Sequence, residues 1–238
     1  YVTQFEARYI QGTTSIEGNR FSIGETEDLL FYNIMPKSGK SLREINEIQN
    51  FKNVKTFRDN YKGKIDLEFI THLHAIIMHN ISRDAGQIRK HDGIAISGCD
   101  FQVCPSLEIK SELRRIIKYY YDRISQGFHP FEEAVMFQYF FETIHPFSNG
   151  NDRVGREIFN FMLSKERYPK LLFLGKDRDD LYIQALKMGN NENYKEMAKI
   201  FAEIIIHQRL DILRSKLKSY IEEPKPSGQL TLASFVTE

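Results

Sequence analysis

Apolar residues along this chain recur with the three-to-four-residue period of an α-helix, and two segments carry the pattern furthest. From Phe131 to Ile144 nearly every side is apolar, as in a helix buried in the middle of a domain. Val154, Ile158, Phe161 and Met162, with Phe159 and Leu163 beside them, predict a second buried helix from near Asp152 to about Lys165. The same reading predicts helices over 2–17, 25–34, 41–61, 66–80, 106–127, 130–144, 152–166, 178–189 and 191–220. Loops are expected at 36–40 and 83–86, and two short extended runs around a Gly-containing turn predict a β-hairpin between 94 and 103. The expected fold class is therefore all-α, a helical bundle around two buried central helices with one hairpin.

The join between the central helices reads His145-Pro146-Phe147-Ser148-Asn149-Gly150-Asn151-Asp152-Arg153-Val154-Gly155-Arg156. Pro146 stops the first helix, and Asn149-Gly150-Asn151 is a tight turn feeding the N-terminus of the second. Free N–H groups there, with the positive end of the helix dipole behind them, attract phosphate oxygens. Arg153 and Arg156 are three apart, on one side of the first turn, and can add charge-assisted hydrogen bonds. A histidine facing this cradle can take the proton of an incoming hydroxyl. The chemistry that follows is transfer of a phosphorus-bearing group onto a hydroxyl.

These residues resemble the signature of the Fic family, HPFx(D/E)GNGRxxR, whose members mostly transfer AMP from ATP onto Ser, Thr or Tyr hydroxyls of proteins. The resemblance implies a Fic-type bundle in which His145 is the catalytic base and Phe147 anchors the loop in the core. It makes Gly150, Asn151, Asp152, Arg153, Gly155 and Arg156 the nucleotide- and phosphate-binding set, with Arg156 on the γ-phosphate. Thr13-Thr14-Ser15-Ile16-Glu17-Gly18-Asn19 resembles the family's inhibitory motif, (S/T)xxxE(G/N). Thr13, Glu17 and Gly18 would then form an inhibitory element, with Glu17 paired to Arg156 where the γ-phosphate needs to be. The hairpin resembles the family's target-docking flap, through Ile94, Ala95, Ile96, Phe101 and Val103, and Asn190 matches a residue that contacts adenine in the family. ATP as substrate and Mg²⁺ or Mn²⁺ as cofactor follow from the same resemblance, as does a protein target bearing a hydroxyl, this chain itself included. Residues 1–23 would be the inhibitory segment, 24–222 the catalytic domain and 223–238 a linker remnant, leading in many relatives to a winged-helix domain.

Two positions depart from the signature. Asn149 stands where the family places a metal-binding Asp or Glu, and Asp152 stands where it places Gly. An Asn carbonyl is a neutral, weaker ligand for a hard dication; Asp152 can restore the charge count and cap the helix, at the cost of negative charge near the phosphates. Asn149 and Asp152 are thus the candidate metal ligands. The departures leave open a nucleotide-binding regulatory module with little activity, or transfer of another phosphate-containing group. The inhibitory carboxylate could also orient water for removal of AMP from a modified protein.

Composition narrows the setting. A 238-residue chain that is 41% hydrophobic and 27% charged can bury a sizeable core. The formal net charge is +1 with no long basic run, which argues against nucleic acid as the main ligand except through a further domain. No stretch has the length and apolarity of a membrane span, and Cys99 and Cys104 make no disulfide framework, so a cytoplasmic setting is expected; a homo-oligomer, with autoinhibition released by changes in self-association, is an expectation of the family resemblance alone. His72, His74 and His79 do not reproduce the i, i+4 zinc pair and are expected to pack or face solvent.

Overall fold

The computed structural model describes residues 2–36, 39–93, 103–172, 184–185 and 193–222. These fold as α1 (Val2–Ser15), α2 (Ile23–Glu27) running on into a π-helical turn (Asp28–Tyr32), α3 (Leu42–Asn60), α4 (Leu67–Ile77), α5 (Ile109–Ser125), α6 (Pro130–Ile144), α7 (Asn151–Lys165) and α8 (Tyr194–Glu222). No strand occurs among the described residues. The fold is all-α, as the periodicity predicts. The expected hairpin and the helix expected at 178–189 fall largely outside the described residues, as do residues 223–238.

Local chemistry starts the helices. Ser41 and Glu44 form a capping box at α3, the Ser41 hydroxyl accepting from the Glu44 N–H at 3.2 Å and the Glu44 carboxylate accepting from the Ser41 N–H at 2.8 Å. Ser22 and Glu25 repeat the device at α2. The Asp66 carboxylate caps α4 through the Phe69 N–H at 2.7 Å, and Pro130 opens α6, where its missing N–H costs nothing.

α6 lies at the centre and packs against α5, α7 and α8; α7 also meets α4, and α3 lies between α1 and α4. Phe141, Phe147, Val154, Ile158 and Phe159 are fully buried along the α6–α7 seam. Gly155 permits the close crossing: a Cβ there would come within 2.7 Å of Glu142 Oε1 and 2.9 Å of Gln138 Nε2 on α6.

α1 is an integral part of this core. Ala7, Tyr9, Ile10 and Thr13 are buried, and a buried ionic cluster fastens the helix to α3 and α7. Arg58 donates to Glu157 Oε2 and to Glu6 Oε1, each at 3.1 Å, Lys170 donates to Glu6 Oε2 at 3.1 Å, and the Tyr9 hydroxyl donates to Glu157 Oε1. Burial pushes the Glu6 carboxyl up, but Lys170 and Arg58 outweigh it and hold the group below its ordinary value.

The helix predicted over 2–17 ends at Ser15. The Thr14 and Ser15 hydroxyls turn back onto the carbonyls of Ile10 (2.8 Å) and Gly12 (2.9 Å), and Gly18 at φ +89° reverses the chain. Glu17 therefore sits in the turn after α1, which Asn19 pins to α3 by donating to the Glu44 carbonyl (3.0 Å) and to Glu47 Oε2 (2.9 Å).

Candidate active site

The site forms where the end of α6, the start of α7 and the turn after α1 converge. His145 is the C-cap of α6 and takes a left-handed conformation, φ +48°, which a β-carbon makes unfavourable. Arg89 holds it there. Its guanidinium is buried and donates to the carbonyls of His145 (2.8 Å), Ile144 (3.3 Å) and His91 (2.8 Å), and its own N–H donates to the Pro146 carbonyl at 3.0 Å. One arginine thus satisfies carbonyls that the end of α6 leaves without partners.

The His145 ring is half-buried, and burial, aided by the Arg89 charge, pushes its pKa below the ordinary histidine value against the pull of Asp152. The imidazole is therefore neutral at neutral pH. Nδ1 is buried without a hydrogen-bond partner, and the Glu142 backbone, acting in the opposite sense to burial, favours the protonated ring.

The turn between the helices is shaped by side chains on both sides. The Asn151 amide clasps the Phe147 backbone, accepting from its N–H at 2.8 Å and donating to its carbonyl at 2.7 Å. Gly150, the N-cap of α7, stands at φ +81°, and a Cβ there would lie 2.7 Å from Met78 Sδ. The Phe147 ring, fully buried, stacks on His74 with centroids 3.7 Å apart and planes within 5°. His74 Nδ1 accepts from the Gly86 N–H at 2.8 Å, so Nε2 carries the proton and donates to the Asn149 carbonyl at 3.0 Å. Burial lowers the His74 pKa to about 4, which keeps the ring neutral. His72 and His79 are exposed, as their spacing suggests.

Both arginines of the segment are buried, at 1% exposure each, and both reach the same carboxylate. Glu17 Oε1 lies 3.4 Å from Arg156 Nη2 and Glu17 Oε2 lies 3.6 Å from Arg153 Nη2. Thr13 completes the contact with Arg156, its hydroxyl accepting from Nε at 2.8 Å and its carbonyl from Nη2 at 3.1 Å. Arg153 also meets Glu47 Oε1 at 3.4 Å and donates to Asn149 Oδ1 at 3.0 Å. Burial lowers the Arg153 pKa while Glu17 and Glu47 raise it, an arrangement in which removing one carboxylate leaves an under-compensated cation.

The structure thus brings together His145, Phe147, Asn149, Gly150, Asn151, Asp152, Arg153, Arg156, Thr13 and Glu17. Gly155 lies one turn further along, against α6, where its role is close packing. Val103 is buried, whereas Ile94, Ala95, Ile96, Phe101 and Asn190 lie outside the described residues. Residues to which the sequence reading gave no role in this site are Arg89, His74 and Glu47. Each acts on a backbone group or a counter-charge about fifty or more positions away, which leaves no local spacing to read.

A histidine at a helix exit, a left-handed glycine and two buried arginines at a helix N-terminus make an arrangement suited to holding an anion on a helical bundle. Residues 64–163 match the family model described as the Fic/DOC family. It is 27% identical over 233 residues to the protein adenylyltransferase fic-1 of Caenorhabditis elegans, covering 95% of this chain and 43% of that protein. It is 24% identical over 246 residues to the protein adenylyltransferase Fic of Aedes aegypti, covering 97% of this chain and 48% of that one. The chain thus spans about half the length of these curated relatives. Among solved structures, Fic-1 of C. elegans aligns with a TM-score of 0.75 at 22% identity, over 90% of this chain and 64% of that one. A Fic-domain signalling protein of Bacteroides thetaiotaomicron aligns with a TM-score of 0.73 at 20% identity, over 90% and 85% of the two chains.

Proposed function

We propose that this chain is an autoinhibited protein adenylyltransferase, moving AMP from ATP to a Ser, Thr or Tyr hydroxyl of a protein. The observation that carries the reading is the Glu17 carboxylate seated between two buried arginines, 3.4 Å from Arg156 and 3.6 Å from Arg153. Two guanidiniums converging on one exchangeable carboxylate make a site for an anion, and a phosphate competes for the same donors. Named adenylyltransferases among the relatives supply the nucleotide class.

In the transfer step the target hydroxyl approaches Nε2 of neutral His145, which takes its proton as the oxygen attacks the α-phosphorus. The new O–P bond forms as the bond between the α-phosphorus and the bridging oxygen breaks, and pyrophosphate leaves. The first turn of α7, with its dipole and its N–H groups, stabilises negative charge developing on the phosphate oxygens. Arg156, once released by Glu17, binds the γ-phosphate and aligns the leaving group. Arg153 keeps Glu47 as counter-ion and so stays in place when Glu17 departs. With Glu17 on Arg156 the γ-phosphate position is blocked, which is the resting state.

The residues suit a divalent ion carried in on the nucleotide. Asn149 Oδ1 already accepts from Arg153, and Asp152, half-buried in the first turn of α7, is the one carboxylate of the segment. Among the described residues no group of three or more His, Cys, Asp or Glu could hold a metal alone. Asp152, with the substrate's phosphates, would hold Mg²⁺ or Mn²⁺, whose contribution is to neutralise triphosphate charge. The free thiol of Cys104 accords with a cytoplasmic setting, and no helix among the described residues is long and apolar enough to cross a membrane.

The test is transfer from ATP labelled on the α- or the γ-phosphate, with Mg²⁺ or Mn²⁺, using the Glu17→Gly protein alone and with a cell lysate. Label from the α-phosphate alone, abolished by His145→Ala, is the expected result. Label from the γ-phosphate would indicate kinase-like transfer instead. No label on any protein, with nucleotide binding intact, would leave a nucleotide-binding module.

A further inference from the structure

The C-terminal half of α8 carries a second feature, independent of the nucleotide site. The helix is anchored in the core through its N-terminal half: Met197, Ala198, Phe201, Ile204 and Ile205 are buried, and the Gln208 side chain pairs with the Leu172 backbone. Its outer face carries Ile206, Leu210, Leu213 and Leu217, exposed by 56%, 41%, 57% and 54%. These four are spaced by four, three and four residues, the alternation that lines up one seam for a second helix. A continuous apolar stripe of this kind on a surface marks an interaction site.

Charge decides what the stripe accepts. In the heptad register that places Ile206 and Leu213 at d and Leu210 and Leu217 at a, the flanking e and g positions fall on His207, Arg209, Arg214 and Lys216. From 206 to 218 the helix holds four Lys or Arg against one Asp, and that Asp211 is already paired with Arg214 at 3.4 Å. Two copies aligned in parallel would set Arg209 against Arg214, so a parallel self-pair opposes like charges.

We infer that the outer face of α8 docks an amphipathic helix of another protein whose apolar seam is flanked by Asp and Glu. The apolar positions supply the buried contact, and the cationic flanks select the partner's sign and speed its approach.

The direct test titrates the full chain into two labelled synthetic peptides of three heptads, both with Leu at a and d, one with Glu and the other with Lys at e and g. At low salt the Glu peptide should bind at least tenfold tighter than the Lys peptide, and salt should narrow the gap. The double variant Leu213→Asp/Leu217→Asp, altered only at exposed positions, should lose at least tenfold in affinity for the Glu peptide while keeping its helical content and melting temperature. Equal binding of the two peptides, no binding, or binding untouched by the double variant would overturn the inference. So would a dimer in sedimentation that the double variant dissolves, since the occupant would then be a second copy. Preferential binding of phosphatidylserine vesicles over the Glu peptide would assign the face to a membrane surface and overturn it too.

Discussion

The Arg89 guanidinium donates to the carbonyl of His145 at 2.8 Å and so holds the proposed catalytic base in a left-handed backbone conformation at the exit of α6. Without that hydrogen bond the strained residue has an easy route back to a right-handed or extended conformation, which would carry the ring away from the turn. Arg89→Lys keeps the charge but cannot reach several carbonyls at once. It should lower kcat by roughly tenfold to a hundredfold, the effect of misplacing a base by an ångström or so, with little change in KM for ATP. Steady-state kinetics in the Glu17→Gly background provide the check, and a variant with full kcat would show that Arg89 does not position the base.

His74 couples stability to pH. Its folded-state pKa is about 4, below the ordinary 6.5, so between these values the unfolded chain binds a proton that the folded chain refuses. Its contribution is fully present above about pH 6.5 and is lost as pH falls towards 4. At about 1.4 kcal/mol per pH unit this amounts to roughly 3 kcal/mol. Urea unfolding measured from pH 7.5 to 4 should show the decline, and His74→Gln, which cannot take up a proton, should flatten that part of the profile at the expense of the ring stack on Phe147.

The buried Arg58 cluster should be costly to break from its centre. Arg58→Met removes the cation shared by Glu6 and Glu157 and leaves Glu157 buried with only the Tyr9 hydroxyl and more distant positive charge. A loss of about 3–5 kcal/mol is expected, measured as a shift of the denaturation midpoint at unchanged m-value. Because the cluster ties α1 to α7, the same variant should raise basal transfer activity in proportion to the freedom α1 gains.

Thr13 should act as a partial version of Glu17. Thr13→Val removes the hydroxyl that accepts from Arg156 Nε at 2.8 Å but keeps the backbone carbonyl contact. A hydrogen bond to a charged group contributes about 1.5–3 kcal/mol, so the closed state should be weakened by that order. ATP-dependent labelling should rise above wild type and stay below Glu17→Gly.

The two central helices were legible in the sequence because α6 and α7 are apolar on so many sides that only burial accounts for them. The start of α7 was legible because Gly150 and Asn151 mark a helix entry, and the partnership of Glu17 with Arg156 was legible through a motif. The end of α1 was placed two residues too late, because hydroxyl back-bonding by Thr14 and Ser15 leaves no mark in hydrophobic periodicity. The tertiary supports of the loop were not legible. Arg89 and His74 act on carbonyls whose positions exist only after folding, and His74 reads in sequence as one histidine of three. Asn149 reads in sequence as a weakened metal ligand; that its side chain accepts from Arg153 across the entry of α7 is a contact that no sequence pattern announces.

The most direct test of the central claim is the ratio of AMP transfer rates between Glu17→Gly and wild type at saturating ATP, read by intact-protein mass. A carboxylate that blocks the γ-phosphate position should hold the wild-type rate at least about tenfold below the variant, a difference of roughly 1.4 kcal/mol, and His145→Ala should abolish the adduct in both. Equal rates for wild type and Glu17→Gly would contradict the account.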